Sequence, residues 1–265
     1  MTESGGLMVI RDTVWPEGTP CWVDLGVADI AKALGFYSAQ FGWDIPPGGP
    51  EVGGYSVASL AGRTVAGIGP KMGGEQQPTM WMTYLAADDA DDIAARIKQA
   101  GGQVITGPMD VMDLGRMAVA MDSTGGVFGI WEGRVHTGFQ VANVPGTVTW
   151  NEYMSHDFEA AKSFYGTVFG YEFQDMSSED MSYATLNLDG RPAGGIGGYP
   201  AAVPAGTPGS WTVYFATSDT DVAVAAATAT GGTLVHPPAD TPYGRMAMVT
   251  DNQGAGFSLM SLPAS

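Results

Sequence analysis

One stretch of this chain occurs twice. Trp22-Val23-Asp24-Leu25, followed by Asp29, Phe36-Tyr37 and Phe41-Gly42-Trp43, returns 128 residues later as Trp150-Asn151-Glu152-Tyr153, Asp157, Phe164-Tyr165 and Phe169-Gly170-Tyr171. Tyr55 and Tyr183, Gly62-Arg63 and Gly190-Arg191, and Gly67-Ile68-Gly69 and Gly195-Ile196-Gly197 keep that spacing. The offset then becomes 130 for Trp81/Trp211, Tyr84/Tyr214 and Gly101-Gly102/Gly231-Gly232. It settles at 129 for Gly115-Arg116-Met117-Ala118/Gly244-Arg245-Met246-Ala247 and for Asp122/Asp251. Drift of one or two residues, confined to loops, is what a duplication leaves behind. A chain of 265 residues built this way folds as two like halves.

Within a half, residues 21–27 alternate as a strand. Asp29 is placed to cap a helix whose Ile30, Ala33, Leu34, Tyr37 and Phe41 form one apolar stripe, and Gly42 stops it. A Pro/Gly-rich loop at 44–54, strands at 55–60 and 64–68, and a second loop at 69–78 follow. Residues 80–86 read as a strand and 88–100 as a helix with an acidic first turn. Short strands at 103–105, 115–121 and 127–131 complete the half. The order strand, helix, three strands therefore occurs four times. It predicts an α+β protein of four βαβββ modules: an N-terminal arm (1–18), a first two-module domain (19–134), a linker (135–147) and a second two-module domain (148–265).

The charge narrows the partners. A formal net charge of −17 with only 11 Lys and Arg repels phosphate backbones and anionic lipid, so neither nucleic acid nor a membrane surface is expected as a partner. Met1–Gly6 show no basic segment leading into an apolar run, and no apolar window reaches the length of about 18 residues that spans a bilayer. The single cysteine, Cys21, excludes an internal disulfide and suits a cytoplasmic protein; beside Trp22 in an apolar strand it reads as a buried, inert thiol.

The strand–Asp–helix–Phe-Tyr–Phe-Gly-aromatic unit resembles the opening module of the vicinal oxygen chelate superfamily, which includes glyoxalase I, bleomycin-resistance proteins and extradiol dioxygenases. Asp122-Ser123-Thr124-Gly125-Gly126 and Asp251-Asn252-Gln253-Gly254-Ala255 are similar to its closing Asp-Pro-x-Gly turn, without the proline. The likeness covers residues 20–262 and is greatest to tandem glyoxalase-like actinobacterial proteins often labelled hydroxylases. It implies cupped mixed sheets with helices outside and, in the enzymes, a metal ion held by His, Gln or Glu. Carried onto this chain, the ligand positions fall on Trp22, about Gly67, Met82 and Gly129 in the first half, and on Trp150, about Gly195, Thr212 and Ser258 in the second. None carries a usual ligand, so neither a metal nor another cofactor is expected. The three histidines, 136, 156 and 236, fall in the linker, at a helix start and in a Pro-Pro segment.

Strand alternation puts Asp24 on the face of Trp22, Glu152 with Trp150, Tyr84 with Met82, Tyr214 with Thr212, and Trp131 with Gly129. If that face lines the cup, each half offers aromatic walls and one acid, the make-up of a small-molecule pocket suited to flat or cationic ligands. Trp22, Asp24, Met82, Tyr84, Trp131, Trp150, Glu152, Thr212 and Tyr214 are the candidate ligand-binding residues. Arg116 and Arg245 are further candidates, as clamps for an anion or carbonyl, against the competing reading of ion pairs with nearby acids. Asp24 and Glu152 are the candidate general bases. The Tyr55/Tyr183, Phe36/Phe164 and Trp81/Trp211 pairs read as core, and the loops 44–54, 69–78, 174–182 and 198–209 as lids or plain connections.

Two functions remain open. One is metal-free binding of an aromatic or polycyclic metabolite or antibiotic, as in sequestration or secondary metabolism. The other is a hydroxylase-like, lyase or isomerase activity, without a metal or, as a third choice, with one held by displaced ligands. The chain is expected as a monomer with paired domains or as a homodimer.

Overall fold

The computed structural model describes residues 8–71, 73 and 77–261. The Met1–Gly6 segment and the tip of the 69–78 loop lie outside the described residues. The chain begins with β1 (Val9–Ile10). The first half then runs β2 (Pro20–Val27), α1 (Ile30–Phe41), β3 (Ser56–Leu60), β4 (Arg63–Pro70), β5 (Met80–Ala86), α2 (Ala90–Gln99), β6 (Gln103–Val111), β7 (Gly115–Met121) and β8 (Val127–Gly133). After β9 (Val141–Ala142), the second half runs β10 (Val148–Ser155), α3 (Phe158–Phe169), β11 (Glu172–Asp175), β12 (Tyr183–Leu188), β13 (Arg191–Gly198), β14 (Ser210–Ala216), α4 (Thr220–Ala229), β15 (Thr233–Thr241), β16 (Gly244–Thr250) and β17 (Gly256–Ser261).

The repeated helix forms as its sequence predicts. The Asp29 carboxylate accepts the Lys32 N–H at 3.0 Å, and Gly42 takes the left-handed conformation (φ 69°) that lets its N–H reach the Ser38 carbonyl. Asp157 and Gly170 do the same for α3. One module departs from the pattern. The strand that follows α3, β11, has only a single bridge, Asp44 to Ser59, as its counterpart after α1. Pro46 and Pro47 offer no N–H to a ladder there, whereas β11 contains no proline.

Each half is one mixed sheet, ordered β3-β4-β2-β5-β8-β7-β6 in the first and β11-β12-β13-β10-β14-β17-β16-β15 in the second. The central pair (β2 with β5, β10 with β14) is antiparallel, and each member is flanked by a parallel strand. Odd positions of β2 (Val23, Leu25, Val27) enter the core, and even positions (Trp22, Asp24) lie on the opposite, cup face.

The halves meet on their helix-bearing sides, crosswise. Phe36, Tyr37 and Trp43 from the first module share a core with Phe215, Val249 and Phe257 of the fourth. Phe128 and Ile97 of the second share one with Phe164 and Tyr165 of the third and Trp211 of the fourth. Two buried relays pin this arrangement. The Tyr37 hydroxyl donates to the Asp251 carboxylate at 3.0 Å and accepts the Trp81 indole N–H at 3.0 Å. The Tyr165 hydroxyl donates to Asp122 at 2.8 Å and accepts from Trp211 at 2.8 Å. Each closing aspartate thus receives the tyrosine of the other half's first helix, and the two cup faces point away from each other. Among the described residues no helix is long and apolar enough to cross a membrane.

The arm and linker expected to be loose are tied together: β1 pairs antiparallel with β9. Trp15 packs edge-on against Phe139 at 4.9 Å.

Candidate functional site

On the first cup face, β2, the residue before β3, and β5 bring four side chains together. The Trp22 indole donates to the Tyr55 hydroxyl at 2.9 Å. Tyr55 donates to Asp24 over a longer 3.5 Å, and Tyr84 donates to the same oxygen at 3.0 Å. The second face repeats this: Trp150 donates to Tyr183 at 3.2 Å, and Tyr214 donates to Glu152 at 2.8 Å. Tyr183 lies near enough to pull the pKa of that acid down, as Tyr214 does.

Among the described residues neither acid belongs to an ion pair. Burial pushes the Asp24 carboxyl up to about 7, with the Tyr84 and Tyr55 phenols pulling it partly back. Burial raises Glu152 as well, opposed by Tyr214 and Tyr183.

The fold implies a divalent ion at this place, and the residues do not fit one. Three of the four second-ligand positions are glycines beside which tyrosine rings fill the space, and the fourth, Ser258, offers only a neutral hydroxyl. A Cβ on Gly67 would run into the Tyr55 hydroxyl, one on Gly195 into the Tyr183 hydroxyl, and one on Gly129 into the Tyr84 ring. Among the described residues no three of His, Cys, Asp and Glu gather as a metal would require. Met82 and Thr212 lie beside the acids, in register with Asp24 and Glu152, and offer a thioether and a neutral hydroxyl.

The other candidates divide. Trp131 stands on the first cup face. Arg116 and Arg245 do not join either cup. Arg116 turns to the helix side, where it grips Asp91 of α2 at 2.9 Å and Asp110 at 3.2 Å. Arg245 grips Asp221 of α4 at 2.6 Å and Asp240 at 3.0 Å. Both guanidiniums fasten a helix N-terminus to its sheet. Cys21 is buried, and burial pushes its thiol far up, away from reactivity. Tyr55 and Tyr183, expected in the core, instead occupy the cups.

A further residue was not legible in the sequence. His136 enters the first cup, its ring edge-on to Trp22 at 4.3 Å and to Trp131 at 5.3 Å between centroids. The segment that carries it is held at both ends. Arg134 and His136 N–H groups reach the Leu114 carbonyl, and Phe139 and Gln140 N–H groups reach Cys21 and Thr64. The Trp131 indole donates to the His136 carbonyl at 2.8 Å. Burial lowers the imidazole to about 4, so it stays neutral. Trp22 is consequently 3% exposed. Among the described residues no segment takes this place in the second cup, where Trp150 is half-buried and Tyr243, the counterpart of Leu114, is 44% exposed. Two hollows lie outside the cup floors: one of about 10 Å³ between Trp15, Cys21 and Trp131, and a shallow, open one of about 370 Å³ beside Phe173 and Asn187.

The sequence profile of the Glyoxalase/Bleomycin resistance protein/Dioxygenase superfamily matches residues 21–130 and 149–259. CFP32 of Mycobacterium tuberculosis (strain CDC 1551 / Oshkosh), provisionally named a glyoxylase, is 39% identical over 252 residues, covering 92% of this chain and 95% of its own. The anthracycline biosynthesis protein DnrV of Streptomyces peucetius is 36% identical over 264 residues, covering 94% and 95%. The structure of 2,2',3-trihydroxybiphenyl 1,2-dioxygenase from Sphingomonas wittichii strain RW1 superposes with a TM-score of 0.64 at 14% identity, covering 93% of this chain and 91% of the other. At that identity the likeness is one of fold.

Proposed function

The chain belongs to the Glyoxalase/Bleomycin resistance protein/Dioxygenase superfamily, and on that footing we propose that it binds a small, flat aromatic molecule in its second cup without a metal ion. The observation that carries this reading is the contrast at the two tryptophans. Trp22 is roofed by His136, whereas Trp150 and Tyr183 keep part of their rings exposed beside Glu152, uncovered by any described segment, above a buried Tyr214. Aromatic walls with a few convergent polar groups suit a polycyclic ligand. The relationship to a protein named for anthracycline biosynthesis supports a place in secondary metabolism, and the lone, buried cysteine fits a cytoplasmic one. Equilibrium dialysis against an anthracycline tests the reading. Saturable binding at one site per chain is expected, weakened about tenfold or more by Trp150→Ala and little changed by Trp22→Ala. Binding that survives Trp150→Ala would remove the second cup from consideration.

A second reading rests on one specific observation: each acid takes a hydrogen bond from a phenol and is raised by burial, Asp24 to about 7, an arrangement able to move protons. Mass spectrometry of the recovered compound separates the two. Return of an unchanged ligand supports binding alone, and a chemical change abolished by Glu152→Gln supports catalysis.

A further inference from the structure

Resting on that reading, we infer that the occupant of the second cup carries a positive charge, for which the Glu152 carboxylate and the surrounding aromatic faces are the receptor. A carboxylate drawn from water is normally met by an arginine, a lysine or a metal. Glu152 has none of these. Oε2 takes the Tyr214 hydrogen bond, and the Tyr183 phenol, itself oriented by the Trp150 indole, stands close by. The groups that face it from the neighbouring strands are neutral: Tyr183 from β12, Tyr214 and Thr212 from β14, and Ser258 from β17. The β15–β16 turn adds Tyr243, close enough to act electrostatically on Tyr183. Among the described residues the ion pairs all lie elsewhere, and Arg245 is committed to Asp221 and Asp240 on the helix side.

Three aromatic rings around one acid favour a cation twice over. The ring faces attract it through their quadrupoles, and the carboxylate neutralises it. An anionic ligand would meet the same acid and a net charge of −17. The ligand class is therefore a flat aromatic cation, an amine-bearing or quaternised polycycle. The phenols hold the carboxylate in place through their hydrogen bonds, so little side-chain ordering remains for binding to bear.

The probe pair is 10-methylacridinium, whose charge does not titrate, and 10-methylacridone, its neutral analogue. Equilibrium dialysis in about 0.3 M salt, which screens the net charge over a few ångström, would compare them from pH 5 to 8.5. The cation should bind about tenfold tighter than the acridone at pH 8, and its affinity should fall toward pH 5 as Glu152 takes up a proton. The acridone should show no such dependence. Glu152→Gln should cancel the preference, whereas Glu152→Asp, which keeps the charge, should retain it even if the glutamine variant does not fold. Equal affinity for the two probes, or a preference unmoved in a folded Glu152→Gln protein, overturns the charge inference alone. Failure of both probes to bind overturns it together with the binding reading.

Discussion

The two cups are built on the same four positions and are covered differently. In the first, Trp22, Tyr55, Asp24 and Tyr84 lie under the chain's own linker, with the His136 ring edge-on to Trp22. In the second, Trp150 keeps its bond to Tyr183 and Tyr214 its bond to Glu152, and no described segment roofs them. Duplication preserved these contacts; among the described residues, a segment outside the repeat makes the difference between the copies. A conserved constellation is therefore evidence of a shared scaffold before it is evidence of two sites.

The comparison can be broken most forcefully at the tryptophans. Trp22→Ala should cost about 3–5 kcal/mol in urea unfolding, as for a fully buried aromatic. Trp150→Ala, already half-exposed, should cost about 1–2 kcal/mol. Equal costs would mean that the second cup is as sealed as the first. Next come the glycines that make room for the rings. Gly67→Ala and Gly195→Ala each force a tyrosine aside and should cost about 1–3 kcal/mol. The cross-half relays supply the control, since they are alike on both sides. Tyr37→Phe and Tyr165→Phe each leave a buried aspartate short of a donor, and should cost about 1–2 kcal/mol with no more than ~0.5 kcal/mol between them.

The last contrast is in pH. Asp24 is raised from 3.8 to about 7, so the folded protein holds a proton that the unfolded chain has released. Its contribution is full below pH 3.8 and is lost as pH rises toward 7, a decline that Asp24→Asn should abolish. His136 is lowered from 6.5 to about 4, so the unfolded chain takes up the proton first. Its contribution is full above pH 6.5 and is lost as pH falls toward 4, and His136→Asn should flatten that limb. Glu152, also raised, should give only the first kind of slope to the second half. An acid-side change on altering any second-cup residue would contradict the assignment.

Much of this was legible in the residues. The duplication, the Asp29 and Asp157 caps and the helical stripes are local patterns, and local patterns survive in a linear sequence. Strand alternation also placed Trp22 with Asp24, and Trp81 and Trp211 in the core. Tyr55 and Tyr183 were misplaced because each stands at a strand boundary, where alternation loses its meaning. Their signal lay across the ladder, in Gly67 and Gly195, since a glycine inside a strand marks a close approach. His136 left no local signal at all. It reaches Trp22 only because hydrogen bonds to Leu114, Cys21 and Thr64 fold the linker back, and such contacts have no period to read. Arg116 and Arg245 stood out by rarity, but rarity did not say which side of the sheet they face.

The crosswise relay has a consequence for synthesis. Tyr37 and the acceptor of its hydroxyl, Asp251, are 214 residues apart in the chain. A ribosome completes the first helix long before it makes the aspartate, or the Phe215 and Phe257 rings, that cover it. Domain-by-domain maturation, the usual course for a two-domain chain, is closed to this one. Its first half waits with a naked aromatic face until nearly the last strand emerges, and so depends on whatever shields nascent chains in the interval.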